Sequence, residues 1–206
     1  MKSTFHVAVI SLTLAFTLQA DEKVATLPFK LTIVSKQQHK YDKADDPKEL
    51  KGKSVPVIYC PSTFSSPKGD VVPVKAEDAS FDVSIQNASK AAVTIDRDTS
   101  DWYNCLTFEI TDAKECTFSI HRDHHQIWFA NVGEQRTFDP SKPQIIAVNL
   151  FSGRYVWVCT PSDSKHKLGD GSHTANVKIK VIFQANAIAE SEWMDAYLEF
   201  LEPPKK

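Results

Sequence analysis

The densest set of chemically capable side chains in this sequence is His121-Arg122-Asp123-His124-His125. Three imidazoles and a carboxylate so close together can ligate Zn²⁺ or Cu²⁺, because imidazole nitrogen and carboxylate oxygen suit both ions. In an extended segment His121, Asp123 and His125 share one face; in a turn they splay apart. A structural zinc site needs four ligands and a catalytic one a shaped pocket. The plainer expectation is therefore a solvated hairpin tip with no resident cofactor.

A second cluster is aromatic. Asp101-Trp102-Tyr103-Asn104 follows the polar Arg97-Asp98-Thr99-Ser100. Adjacent rings beside Asp and Asn suit stacking on a sugar or on a partner protein, so Trp102, Tyr103 and Asn104 are the candidate binding residues. The opposing expectation is that Trp102 or Tyr103 turns inward as its strand begins, since large aromatics are mostly buried. Asn87-Ala88-Ser89 is an N-x-S triplet between two alternating runs, which makes Asn87 a candidate glycosylation acceptor in an exported chain.

The compartment is read from the start of the chain. Lys2 is the lone charge of residues 1–20; an apolar run over residues 7–16 follows, then Leu18-Gln19-Ala20, then Asp21-Glu22-Lys23. That order predicts a secretory signal peptide over residues 1–20, cleaved after Ala20, and a secreted, extracellular domain over residues 21–206. The apolar run is too short for a membrane anchor, and no other stretch approaches the ~20 apolar residues a spanning helix needs.

In an oxidising compartment the four cysteines, Cys60, Cys105, Cys116 and Cys159, read as two disulfides. Cys60 and Cys159 each end an apolar run just before a proline, which favours the pairs Cys60–Cys159 and Cys105–Cys116. The second pair carries a condition. A tight hairpin at Asp112-Ala113-Lys114 would set Cys105 opposite His121, out of reach of Cys116, so this bridge requires a loop there. The combination of leader, size and cysteine count resembles small exported disulfide proteins, secreted effectors among them; the resemblance assigns a role to no residue.

Bulk composition excludes some classes. The formal charge is −2, so no basic face recruits nucleic acid. No G-x-S-x-G elbow, H-E-x-x-H zinc helix, phosphate loop or dinucleotide fingerprint occurs. Acidic residues are scattered, and no pair stands out as a glycosidase couple.

The elements that must position these residues are strands. Phe29, Leu31 and Ile33 alternate with Lys30, Thr32 and Val34; so do Phe81, Val83 and Ile85, then Leu106, Phe108 and Ile110, then Val177, Ile179, Val181 and Phe183 with their polar neighbours. A period of two is the half-buried strand pattern. Shorter β-rich runs over residues 55–60, 71–75, 92–96, 116–120, 126–132, 144–151 and 155–160 bring the expectation to about ten strands, an all-β antiparallel sandwich or barrel. Residues 37–54 read as a long solvated loop. Within residues 187–201, Ala189, Trp193, Tyr197, Phe200 and Leu201 recur at helical spacing, which predicts a short C-terminal helix ended by Pro203-Pro204.

The function expected from this sequence is a secreted, disulfide-stabilised, effector-like or surface-interaction binding module for a host or cell-surface protein or a glycan. The alternative is a secreted hydrolase or metal-dependent enzyme using His121, Asp123, His124 or His125. A β-barrel carrier of a small apolar ligand is a third class.

Overall fold

The computed structural model describes residues 26–65, 79–97, 102–123, 134–151, 156–185 and 187–202. The expected leader over residues 1–20, the expected strands over 71–75 and 126–132, and both His124 and His125 lie outside them. The described residues are all-β. Their strands are β1 (Phe29–Ser35), β2 (Gln38–Lys40), β3 (Ser54–Pro61), β4 (Ser80–Asn87), β5 (Val93–Arg97), β6 (Leu106–Asp112), β7 (Thr117–Arg122), β8 (Glu134–Phe138), β9 (Gln144–Asn149), β10 (Trp157–Pro161), β11 (Thr174–Gln184), β12 (Ile188–Glu190) and β13 (Met194–Leu201).

They form an open, sandwich-like arrangement rather than a closed barrel. One sheet runs β1-β4-β9; a larger one runs β10-β7-β6-β11-β13-β3-β2, with β12 also on β11; β5 and β8 make a separate ribbon. The alternation read from the sequence decides which faces meet. Leu31, Val83, Ile85 and Val148 from the first sheet share one buried cluster with Phe108, Ile110, Val181 and Leu198 from the second. Burying such faces together is the main stabilising term of a two-layer β fold.

The expected C-terminal helix is not there. Residues 188–190 and 194–201 are β12 and β13 instead. Ala196, Leu198 and Phe200 point into the core at a spacing of two, while Tyr197 packs on the opposite face. The helical spacing arose because both faces of β13 carry apolar residues, which blurs the period. β13 also runs parallel to β3, with Tyr197 opposite Val57 and Phe200 opposite Cys60, so the large sheet is mixed.

The expected solvated loop over residues 37–54 is corrected too. It starts with β2, then folds Tyr41 and Leu50 against Val55 in a second small cluster beside Tyr197. Gly52, at φ +79°, makes the left-handed turn that brings Lys53 carbonyl back to the Tyr41 N–H at 3.0 Å.

Candidate binding surface

The sequence-predicted residues separate in space. Trp102 is buried at 6% exposure. Its ring stacks on Phe183 at 5.8 Å and meets Phe138 edge-on at 5.9 Å, with the Arg136 guanidinium 4.5 Å from its centroid. It is a core ring, held on a 3-10 turn (Trp102–Cys105) that leads into β6. The Tyr103 side chain lies outside the described residues. Asn104 is half-buried, and its amide Oδ1 and Nδ2 are shielded from solvent. The sugar-stacking surface therefore loses one of the two rings on which it was built.

His121 and Asp123 share the outer face at the end of β7, both half-buried. The His121 Nδ1 lies 3.4 Å from Ser119 Oγ, and the Asp123 N–H donates to Val156 carbonyl at 3.0 Å. Arg122 between them turns the other way, 4% exposed, with its guanidinium 5.3 Å from the Trp157 ring. Among the described residues no three His, Cys, Asp or Glu side chains gather as a metal site.

Asn87 is a structural residue. It is 2% exposed, and its Nδ2 donates to the carbonyls of Ala91 and Phe138, both at 2.8 Å. Its Oδ1 accepts from the Ser89 N–H at 2.9 Å and the Ser89 hydroxyl at 2.7 Å. A glycan on Nδ2 would replace a proton that is already in use and would need space that the core occupies.

All four cysteines are free thiols, which corrects both expected disulfides. For the short pair the reason is register. Thr107 faces His121 and Thr111 faces Thr117, so Cys105 and Cys116 sit at opposite ends of the β6–β7 hairpin. That is about 20 Å of strand, far beyond the ~7 Å Cα limit for a bridge. Cys60 is fully buried, and Cys159 packs against the same core. Burial, with the nearby Cys159 adding to it, holds the Cys60 thiol far above the ordinary range, and burial pushes Cys159 up to about 12.

Two cavities lined by described residues bear on binding. One, about 350 Å³, borders Glu49, Asp112, Glu115 and Asp195. Two of those carboxylates already have structural work. Asp112 Oδ1 caps its turn by accepting from the N–H groups of Lys114 at 2.9 Å and Cys116 at 3.2 Å, and Asp195 pairs with Lys53 at 3.0 Å.

The other cavity, about 410 Å³, runs along residues 29–32 of β1, with Glu190, Ser191, Glu192 and Met194 as its far wall. Its origin can be traced in the strand registers. Pro28 carbonyl accepts from the Ala88 N–H, so residues 30, 32 and 34 direct their backbone groups to β4. Phe29, Leu31 and Ile33 direct theirs to the outer edge. That edge is closed at one end, where the Leu27 N–H donates to Ile188 carbonyl at 2.7 Å. It is closed at the other where the Val57 N–H reaches Gln37 carbonyl at 3.0 Å and the Ser35 hydroxyl reaches Val57 carbonyl at 2.6 Å. Between those ties no described strand pairs with β1.

A bulge holds the slot open. Ile182 faces Glu190 and Ile179 faces Met194, so four steps on one strand oppose three on β11. Ser191 fastens the bulge to β11: its N–H donates to Val181 carbonyl, and its hydroxyl accepts from the Val181 N–H, both at 2.9 Å. β12 is thus held on β11 along its whole length and meets the β1 side through the Thr26–Ile188 bridge. Lys180 fixes the rim, with Nζ 2.8 Å from Glu109, 2.9 Å from Glu190 and 5.4 Å from the Trp193 ring. Burial pulls the Lys180 pKa down, but its two carboxylate hydrogen bonds outweigh that and leave it raised.

Sequence reasoning found β1 as a strand but missed its open edge. The one local hint was Lys30 in mid-strand, a common mark of edge strands. The chain matches no protein-family model, and neither curated proteins nor solved structures give a match.

Proposed function

We propose that this protein is a non-enzymatic binding module that engages a protein partner outside the cell. The observation that supports this reading is the slot along β1: a strand whose outer hydrogen-bonding row no described strand takes, bordered by a cavity and accompanied by exposed apolar side chains. Val34 on β1 is 54% exposed and Trp193 on the facing segment 43%. Large exposed apolar side chains beside a groove are typical of recognition surfaces. A protein partner is favoured over a glycan because Trp102 is a core ring. The extracellular setting rests on the charged, apolar, small-residue order of residues 1–20.

Two assays test this. The purified protein is offered a displayed library of extracellular protein domains and, in parallel, a glycan array. Saturable binding to a domain supports the reading; binding confined to glycans, or to neither, overturns it. N-terminal sequencing of exported material tests the leader, with Asp21 as the expected first residue.

A further inference from the structure

We propose that the slot along β1 takes an extended peptide segment of the partner, which adds to the sheet as a strand beside residues 29–33. The inference deepens the protein-binding reading and depends on it.

Three observations determine the occupant. The first is the backbone row. Phe29, Leu31 and Ile33 offer three N–H donors and three carbonyl acceptors at strand spacing, and no described strand takes them. Each of the three residues is at most 8% exposed in total, and Phe29 and Leu31 open onto the cavity beside β1. Buried backbone groups are nearly always paired, and an extended backbone is the chemistry that satisfies an alternating row of donors and acceptors.

The second is the shape. The row is tied off at Leu27–Ile188 and at Gln37–Val57, leaving about five residues, or ~17 Å, of open edge. It is walled by Glu190, Ser191, Glu192 and Met194. A second copy of β1, already held between its own ties and wall, has no way into this recess. A single unpaired segment does. Its alternate side chains would enter the cavity against Met194, so an apolar residue belongs at every second position.

The third is charge. Around the bulge stand Glu109, Glu190 and Glu192, with Lys180 as the cation that Glu109 and Glu190 share. Glu192 is exposed on the rim and makes no ion pair among the described residues. The exposed Lys30 on β1 offsets part of this charge, so the lining keeps a small acidic balance, and the segment that fits it carries Lys or Arg where its solvent-facing side chain meets Glu192.

The test uses the full folded chain and a phage-displayed library of random twelve-residue linear peptides. Enriched peptides are synthesised, and their affinity and effect on amide exchange are measured. In the free protein the amides of Lys30, Thr32 and Val34 should exchange slowly and those of Phe29, Leu31 and Ile33 faster. Peptide binding should slow exchange at Phe29, Leu31 and Ile33 by ~10-fold or more. Glu192→Lys should weaken basic peptides by ~10-fold or more at unchanged melting temperature, and an acidic replacement in the peptide should restore affinity. Three results overturn the proposal: no enrichment above an unrelated β protein, protection appearing elsewhere, or equal protection along β1 in the free protein, which means the chain fills its own slot. A domain from the displayed library that binds Glu192→Lys undiminished and leaves the β1 amides unprotected defeats the strand-addition proposal alone. Loss of all protein binding defeats the underlying reading as well.

Discussion

The two sheets end differently at β2 and β1. β2 is three residues long, and the chain beyond it folds back as a plug. His39 stacks on Tyr197 at 3.8 Å, and Tyr41 meets His39 edge-on at 4.5 Å. Tyr41 is 1% exposed, and its hydroxyl donates to Asn176 Oδ1. β1 is seven residues long, and no described strand covers the outer edge of its middle. Shortening and covering an edge are the usual protections against unwanted strand pairing. This protein uses both at β2 and neither in the middle of β1.

The comparison predicts that the plug carries stability and the slot does not. The largest effect should come from Tyr41→Ala, at ~3–5 kcal/mol, because it removes a fully buried ring and its hydrogen bond. Urea denaturation measures it; a loss under ~1 kcal/mol would make the plug a loose flap and erase the contrast. Trp102→Ala should cost ~3–5 kcal/mol for the same reason. A binding defect at unchanged melting temperature would return Trp102 to the list of contact residues.

Asn87→Ala should cost ~2–3 kcal/mol, since it strands the Phe138 carbonyl in the interior and removes the bond to Ala91. Asn87 lies opposite Phe29, so this variant loosens the β4 side of β1 and sharpens what the outer side contributes. Intact mass of folded, exported protein should show no glycan at Asn87.

Tyr41→Phe isolates the hydroxyl and should cost ~1 kcal/mol. It also carries a pH signature. Burial first, then Tyr197, Asp195 and Asp46, raise the Tyr41 pKa to about 12, against an ordinary value of 10.0. The folded state keeps this proton longer than the unfolded one. Its contribution is therefore whole below pH 10 and lost as pH rises through about 12. Denaturation midpoints over that range should fall more steeply for the wild type than for Tyr41→Phe; parallel curves would remove Tyr41 from the plug. The smallest effect should be Val34→Thr on β1, within ~0.5 kcal/mol, with any deficit appearing in binding.

Much of the fold was legible because alternation is a local property. β1, β4, β6 and β11 each bury one face, and one buried face writes a period of two into the sequence. β13 was not legible because Ala196, Leu198 and Phe200 serve one layer while Tyr197 serves another. Tyr41 sat in a lysine- and aspartate-rich stretch whose composition suggested solvent, and its burial depends on Tyr197, a residue far along the chain. The open edge left almost no local trace, since a strand's own residues do not say whether a neighbour will arrive.

The sequence by itself determined that this is a β protein and which side chains of most strands face inward, because hydrophobic periodicity acts within a few residues. It also determined the leader-like order of the first twenty residues. Tertiary structure decided the rest: that Asn87 and Trp102 are buried, that Cys105 and Cys116 stand at opposite ends of a hairpin, and that β13 lies parallel to β3. It also decided that the strand beginning at Ile188 pairs with β11 throughout and bridges to the residues before β1 at Thr26. Each of these depends on register between segments distant in sequence, and register is settled only when faces from several strands are buried together.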